Sequence, residues 1–298
     1  MNVHVWVLVL AGGEGRRLHG IARDPGGRAV PKQFCDFGTG RSLIARTIDR
    51  ALMLVPRTNV VTVVTAAHRG WWEDELAALP AGNVVVQPGN RGTAAGILLP
   101  LLHIAARDPH ATVVVLPSDH HVRDEHVLAI SVAAAIDALG RKPERIILLG
   151  ITPDHPETGY GWVLADAADG AVTHPVAAFV EKPGHEDALR LMSMGAVWNS
   201  FMFCGRAATL LDMYAERLPH LLAGLSALVA ERAGGARLAA FYATLAPRDF
   251  SREVLQSLPA RLRVLAVPAC GWTDLGTPER LARVLKAAAA EPGAQSAA

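Results

Sequence analysis

The chain has 298 residues, of which 51% are hydrophobic, with 29 Lys and Arg against 28 Asp and Glu. That length holds one large α/β domain or two average ones, and the apolar fraction excludes a disordered protein. A net charge of +1 excludes a global field that would gather nucleic acid or acidic membrane, so any anion site must be built locally.

The first apolar run, "VHVWVLVLAGG", predicts a strand over residues 3–10. It is too short to span a bilayer and no basic stretch precedes it, so the reading is a buried strand in a soluble, cytoplasmic protein with no membrane partner. Helical and strand patterns then alternate: helix 42–54, strand 60–65, helix 71–78, strand 83–87, helix 93–107, strand 112–117, helix 127–139, strand 145–150. The early strands are continuously apolar, which suits a sheet covered on both faces, and the alternation argues for parallel pairing with right-handed crossovers.

After Gly150 the rhythm changes. Strands are expected at 161–165, 176–180 and 262–268, and helices at 186–194, 207–217 and 221–246, so an antiparallel subregion is expected there. Residues 1–286 read as one domain, and 287–298, "AAAAEPGAQSAA", as a frayed tail. Cys35, Cys204 and Cys270 are far apart, odd in number and outside any CxxC or metal spacing, which fits a reducing compartment.

The stretch "VLVLAGGEGRRL" is an apolar run that stops at Gly12, Gly13 and Gly15 and continues into Arg16 and Arg17. A dinucleotide loop needs GxGxxG; Gly13 and Gly15 supply two glycines, but Leu18 occupies the third position. A P-loop needs GK[ST], and neither Lys nor Ser/Thr follows Gly15. What remains is a strand, a turn with free N–H groups and two guanidiniums at a helix start. These suit a polyphosphate. A plain turn with solvated arginines accounts for the loop alone equally well. His120 and His121 adjoin Asp119, but neighbours on an extended chain point apart and no HExxH or HxxEH spacing exists, so both read as loop residues.

Read together with "PKQF" at 31–34, the loop resembles the signature of sugar-nucleotide pyrophosphorylases, and especially of mannose-1-phosphate guanylyltransferases. Further matches follow in the family's order: "QPGNRGTAAGIL" (87–98), "VLPSDHHV" (115–122), "GITPDHPETGYGWV" (150–163), "FVEKP" (179–183), "WNSFMF" (198–203) and "GWTDLGT" (271–277). The resemblance implies an α/β fold: a Rossmann-like, mostly parallel sheet with helices on both faces and a small antiparallel sugar-binding sub-layer. It implies that Leu10, Ala11, Gly12, Gly13 and Gly15 hold the nucleotide and that Arg17 and Lys32 grip its phosphates. Gln87, Gly92 and Thr93 would meet the base, although Thr93 also suits an ordinary cap of the following helix. Lys182 would hold the phosphate of a sugar 1-phosphate. Glu181, Asn199 and the stretch Gly159, Tyr160, Gly161 would meet the sugar.

Asp119 follows an apolar run at the carboxyl end of an expected strand, the edge where open α/β sheets bind ligands. With Asp274 it would hold Mg²⁺ by one or two oxygens plus nucleotide phosphates. The implied partners are a nucleoside triphosphate, with GTP favoured, and a sugar 1-phosphate; a homo-oligomer stays open. The implied reaction is attack of the sugar 1-phosphate on the α-phosphorus, with release of pyrophosphate. A thymidylyl- or uridylyltransferase acting on another hexose 1-phosphate, and a non-catalytic nucleotide-sugar sensor, are the alternatives.

Several positions depart from the family. Arg16 stands where a threonine is usual, His19-Gly20 where Trp-Pro is expected, and "DPGGRAV" (24–30) is a longer spacer. Phe201 replaces a glycine, and Ser251 and Gln256 in "DFSREVLQ" align with the aspartate and glutamate of "SIDYAVME". The chain also lacks the C-terminal β-domain of many relatives, so a second, isomerase activity is not expected.

Overall fold

The first strand, β1 (Val5–Ala11), sends alternate side chains to opposite faces of the sheet, and both sets are buried. Trp6 and Leu8 enter one hydrophobic core, while Val5, Val7, Val9 and Ala11 enter a second. That double burial is why the sequence reads as a continuous apolar run. The molecule is known from a computed structural model, which describes residues 3–14, 23, 27–166 and 171–290.

Helix α1 (Leu43–Leu52) starts where Ser42 Oγ accepts from the Ala45 amide at 3.2 Å. Strand β2 (Val60–Thr65) then pairs parallel with β1. Helix α2 (Arg69–Glu75) leads to β3 (Val84–Gln87), which pairs parallel with β2. Helix α3 (Gly92–Arg107) crosses back, and β4 (Thr112–Pro117) pairs parallel with β1 on its other side. Helix α4 (Glu125–Arg141), capped by Asp124, returns the chain to β5 (Ile146–Ile151). α3 packs in the first core and α1 and α4 in the second, so helices cover both faces as expected.

The second half contains β6 (Gly161–Ala165), β7 (His174–Glu181), α5 (His185–Ser193) and β8 (Val197–Arg206). Helices α6 (Ala207–Arg217), α7 (Pro219–Ala230) and α8 (Gly235–Thr244) follow, then β9 (Leu262–Val267) and α9 (Pro278–Ala290). One sheet of nine strands results among the described residues, in the order β3-β2-β1-β4-β8-β5-β9-β7-β6. The expected antiparallel strands are therefore an extension of the main sheet. They curl, because β6 also pairs with β8 through Trp162 and Trp198, closing β8, β5, β9, β7 and β6 into a ring.

Three sequence expectations are corrected. The helix expected over 221–246 is two helices, α7 and α8, broken at a turn carrying Gly234. Residues 287–290, expected as the start of a tail, are the last turn of α9, and residues 291–298 lie outside the described residues. Strand β8 was not expected as a strand at all. Its register against β5 slips between Leu148 and Gly150, so that Phe203 opposes Leu148 while Asn199 opposes Gly150. Inside this bulge Ser200 Oγ donates to Leu149 O (2.6 Å) and Asn199 Oδ1 accepts from the Phe201 amide (3.1 Å). Side chains thus replace part of the strand ladder.

Candidate functional site

At the carboxyl end of β1 the chain turns through Gly12 and Gly13, and a set of amides fixes that turn. Gln33 Nε2 donates to the carbonyls of Ala11 (3.0 Å) and Gly13 (2.9 Å). Thr65 Oγ1 donates to Gly12 O (3.0 Å) and accepts from Gln87 Nε2 (3.2 Å). A Cβ on Gly12 would stand 2.2 Å from Gln87 Nε2, so glycine is required by close approach. Gln87 Oε1 is buried with no donor among the described residues. Leu10, Gly12, Gly13, Gln87, Gly92 and Thr93 line a cavity of about 480 Å³, and Asp119 stands on its wall. Ala11 is packed beneath it in the core. Gly15 and Arg17 lie outside the described residues. Thr93 is not a cap: it lies within the first turn of α3, and its hydroxyl accepts from the Phe250 amide at 2.8 Å.

A second cavity of about 180 Å³ adjoins the first, sharing Thr93, His120, Phe201 and Asp249 as boundary. Gly159, Tyr160, Gly161, Glu181, Lys182 and Asn199 all line it. Gly161 allows Glu181 to approach, since a Cβ there would lie 2.6 Å from Glu181 Oε2. That oxygen is buried without a donor among the described residues, while Oε1 pairs with Lys182 Nζ. Burial pushes the Glu181 carboxyl above its usual range, and Lys182 only partly offsets this. The two positions that depart from the family support this wall. Gln256 Oε1 accepts from the Glu181 amide (2.7 Å), and Ser251 Oγ accepts from Asn199 Nδ2 (3.5 Å). Lys182 itself is held at φ 52°, just past the end of β7.

Two aspartates stand on either side of the shared boundary, Asp119 on the wall of the larger cavity and Asp274 on that of the smaller. Asp119 follows β4, and Asp274 is carried in by a loop stitched to the same region through backbone hydrogen bonds between His121 and Thr273 (both 2.9 Å). Buried Lys32 joins them, donating to Asp119 Oδ2 at 3.0 Å and to the Asp274 carbonyl. Asp274 Oδ1 accepts from Tyr160 Oη (2.7 Å), the Gly276 amide (2.8 Å) and Arg280 Nη1 (2.6 Å). Arg280 also reaches Glu157 and lies over the Tyr160 ring, 4.5 Å from its centre. Burial works to raise both aspartates, but the charge of Lys32 on Asp119, and the His120 field with the Tyr160 and Arg280 contacts on Asp274, hold them below the usual range. Both are therefore ionised at neutral pH.

The described residues singled out from sequence thus gather around two adjoining cavities at the carboxyl edge of the sheet. Gln33, Thr65, His120, Asp249 and Arg280 belong to the same site and were missed. Gln33 lay in plain view inside "PKQF", whereas Arg280 carries no local signal, because its partners Asp274 and Glu157 are set by tertiary folding.

A model of the nucleotidyl transferase family matches residues 6–291. The chain belongs to this family. The curated relatives include the xanthan biosynthesis protein XanB of Xanthomonas campestris pv. campestris (strain B100), 30% identical over 280 residues, covering 91% of this chain and 57% of the relative. A mannose-1-phosphate guanylyltransferase of Escherichia coli is 33% identical over 230 residues, covering 74% of this chain and 47% of that protein. The chain spans about half the length of these relatives. Among solved structures, one from Thermus thermophilus, described as a mannose-1-phosphate geranyltransferase, superposes with a TM-score of 0.80 at 28% identity. It covers 92% of this chain and 77% of its own. A UDP-glucose pyrophosphorylase complexed with UDP-glucose shares the fold, with a TM-score of 0.61 at 15% identity, covering 95% of this chain and 97% of its own. The resemblance read from the motifs therefore holds at the level of the family.

Proposed function

We propose that the chain joins a sugar 1-phosphate to a nucleoside triphosphate, with mannose 1-phosphate and GTP as the favoured pair, giving a GDP-sugar and pyrophosphate. One observation carries this reading: the Asp119–Lys32–Asp274 array stands where the larger cavity meets the smaller one. That is where an α-phosphorus and an attacking phosphate would have to meet.

Mg²⁺ fits the two carboxylates. Both are ionised, and neither Asp119 Oδ1 nor Asp274 Oδ2 takes a hydrogen bond from the described residues, leaving an oxygen on each for a hard cation. When bound, the ion supplies positive charge against the nucleotide phosphates. The chain's own groups do the rest. Gln87 offers its unpaired amide oxygen to a base N–H. Lys32, whose ammonium is shared between the Asp119 carboxylate and the Asp274 backbone carbonyl, is placed to turn toward a phosphate oxygen. Lys182 holds the sugar phosphate against its natural repulsion from the triphosphate, and the orphaned oxygen of Glu181 accepts from a sugar hydroxyl.

The sugar-phosphate oxygen bonds to the α-phosphorus as the bond to the bridging oxygen breaks, and pyrophosphate departs with that electron pair. The nucleophile is already anionic, since a phosphate monoester's second pKa lies near ~6, so no general base is needed. Positioning and charge neutralisation carry the rate.

The test is pyrophosphate release over a grid of GTP, dTTP, UTP and ATP against mannose, glucose, galactose and fucose 1-phosphates, with Mg²⁺. Turnover is expected with GTP and mannose 1-phosphate, and Asp119→Ala is expected to lose on the order of 10²-fold or more in kcat. Near wild-type turnover in Asp119→Ala would overturn the assignment. Phe201, whose ring lines both cavities, is the residue set to bias the sugar axis. Phe201→Gly is therefore expected to change the ratio of kcat/KM between sugars.

A further inference from the structure

A third cavity, of about 710 Å³, is larger than either of the two above. It adjoins the smaller of them: Tyr160 and Trp272 line both this cavity and the sugar-side one. We propose that it is a second binding site, for a phosphorylated ring compound, and that its occupant acts on the transfer site through Arg280.

The charge of the wall identifies the ligand's sign. Arg46, Arg123, Arg280 and Arg283 converge on the cavity, while the carboxylate on its wall, Asp154, is already engaged by His155. Arg46 is committed to Val122 O (2.6 Å) and Glu125, and Arg280 to Asp274 and Glu157. The side chains of Arg123 and Arg283 have no hydrogen bond or ion pair among the described residues, so two guanidiniums remain for phosphate oxygens. The wall also carries aromatic rings: Trp198, Trp272 and His155 offer faces and edges to a sugar or base. The volume is that of a small-molecule site.

The link to the chemistry is Arg280. Its side chain is nine-tenths buried, it lines the cavity, and its Nη1 holds Asp274 Oδ1 at 2.6 Å. An anion drawn to this guanidinium competes with Asp274 for it, which loosens the carboxylate that also receives Tyr160. Coupling rests on the reading of Asp274 as part of the transfer site; the binding site itself does not.

Calorimetric titration with two probes, mannose 6-phosphate and GMP, distinguishes a sugar phosphate from a nucleotide. At least one is expected to bind the wild type and to bind Arg123→Gln/Arg283→Gln at least tenfold more weakly. These side chains touch neither substrate cavity, so pyrophosphate release without probe is expected to be unchanged in the double variant, and thermal melts confirm its folding. Absence of binding by either probe, or equal affinity in both proteins, overturns the site. Binding lost in the double variant, but without effect on the wild-type rate, overturns the coupling through Arg280. The titration needs no turnover, so failure of the transfer reading and failure of this one are read separately.

Discussion

Glu181 carries two opposed requirements in one side chain. It is buried, which favours its protonated form, yet its orphaned oxygen is useful to a sugar hydroxyl only while it can accept. Burial, helped by the charge of Asp249, pushes its pKa up, and Lys182 and Arg252 pull it down without cancelling that rise, leaving it above the usual 4.5. Because the folded value is raised, the folded chain takes up this proton before the unfolded chain does. Stability from this group is therefore present at low pH and lost as pH rises through the folded value. Function runs the other way. On acidification into the window above 4.5, KM for the sugar 1-phosphate is expected to rise while the melting temperature gains a contribution. Glu181→Gln is expected to remove both dependences, leaving only the substrate's own titration; parallel pH profiles in the two proteins would show that Glu181 does not meet the sugar. At this scale the sequence was informative about which residues gather and silent about how they are satisfied. "VEKP" pointed to Glu181, but its support by Gln256 across 75 positions could not be read from either segment.

Elements were legible where one physical signal dominated. β2, β4, β6 and α6 fall where their apolar patterns placed them, because β-branched runs and a clean helical repeat leave little choice. β8 was illegible for a reason visible in its bulge. Asn199 and Ser200 are buried polar residues in mid-strand, and Phe201 takes φ 59°, so neither period-2 alternation nor an unbroken apolar run survives. A non-glycine residue held there stores on the order of 1 kcal/mol, which the surrounding pairs with β4 and β5 must offset. Helix pairing offers a sharper test. Arg50 on α1 is buried and grips Glu125 on α4 through two bonds, 2.6 and 3.0 Å. Arg50→Ala would leave Glu125 without that fork, although Arg46 still reaches it and the carboxylate is partly solvated. A loss of about 2 kcal/mol is expected, below the range for a fully buried pair. Denaturant unfolding checks this, and a cost near zero would show that water replaces the guanidinium.

At the scale of the molecule, the parallel half supplies most of the larger cavity and the curled antiparallel half most of the smaller, while the C-terminal loop brings Asp274 to the smaller one. α9 holds that loop in two ways. Arg280 binds Asp274, and Leu281 packs with Leu275 and Leu43 in a small cluster apart from both main cores. Removing the chain from residue 278 onward is therefore expected to leave a cooperative fold while lowering kcat at least tenfold. A loss of cooperative unfolding would mean that α9 belongs to the core rather than to the site.

The return pairing of β6 onto β8 has one more effect, on what the molecule can do to its own copies. A sheet of nine strands would ordinarily end in two rows of unsatisfied amides, each a template for another chain. Here one end turns back on the sheet through the short β6–β8 pairing, and the other ends in β3, which is four residues long. Two copies meeting edge to edge could exchange only a handful of backbone hydrogen bonds. Sheet extension is thus limited to a short edge, and a larger association of copies would have to rest on side chains.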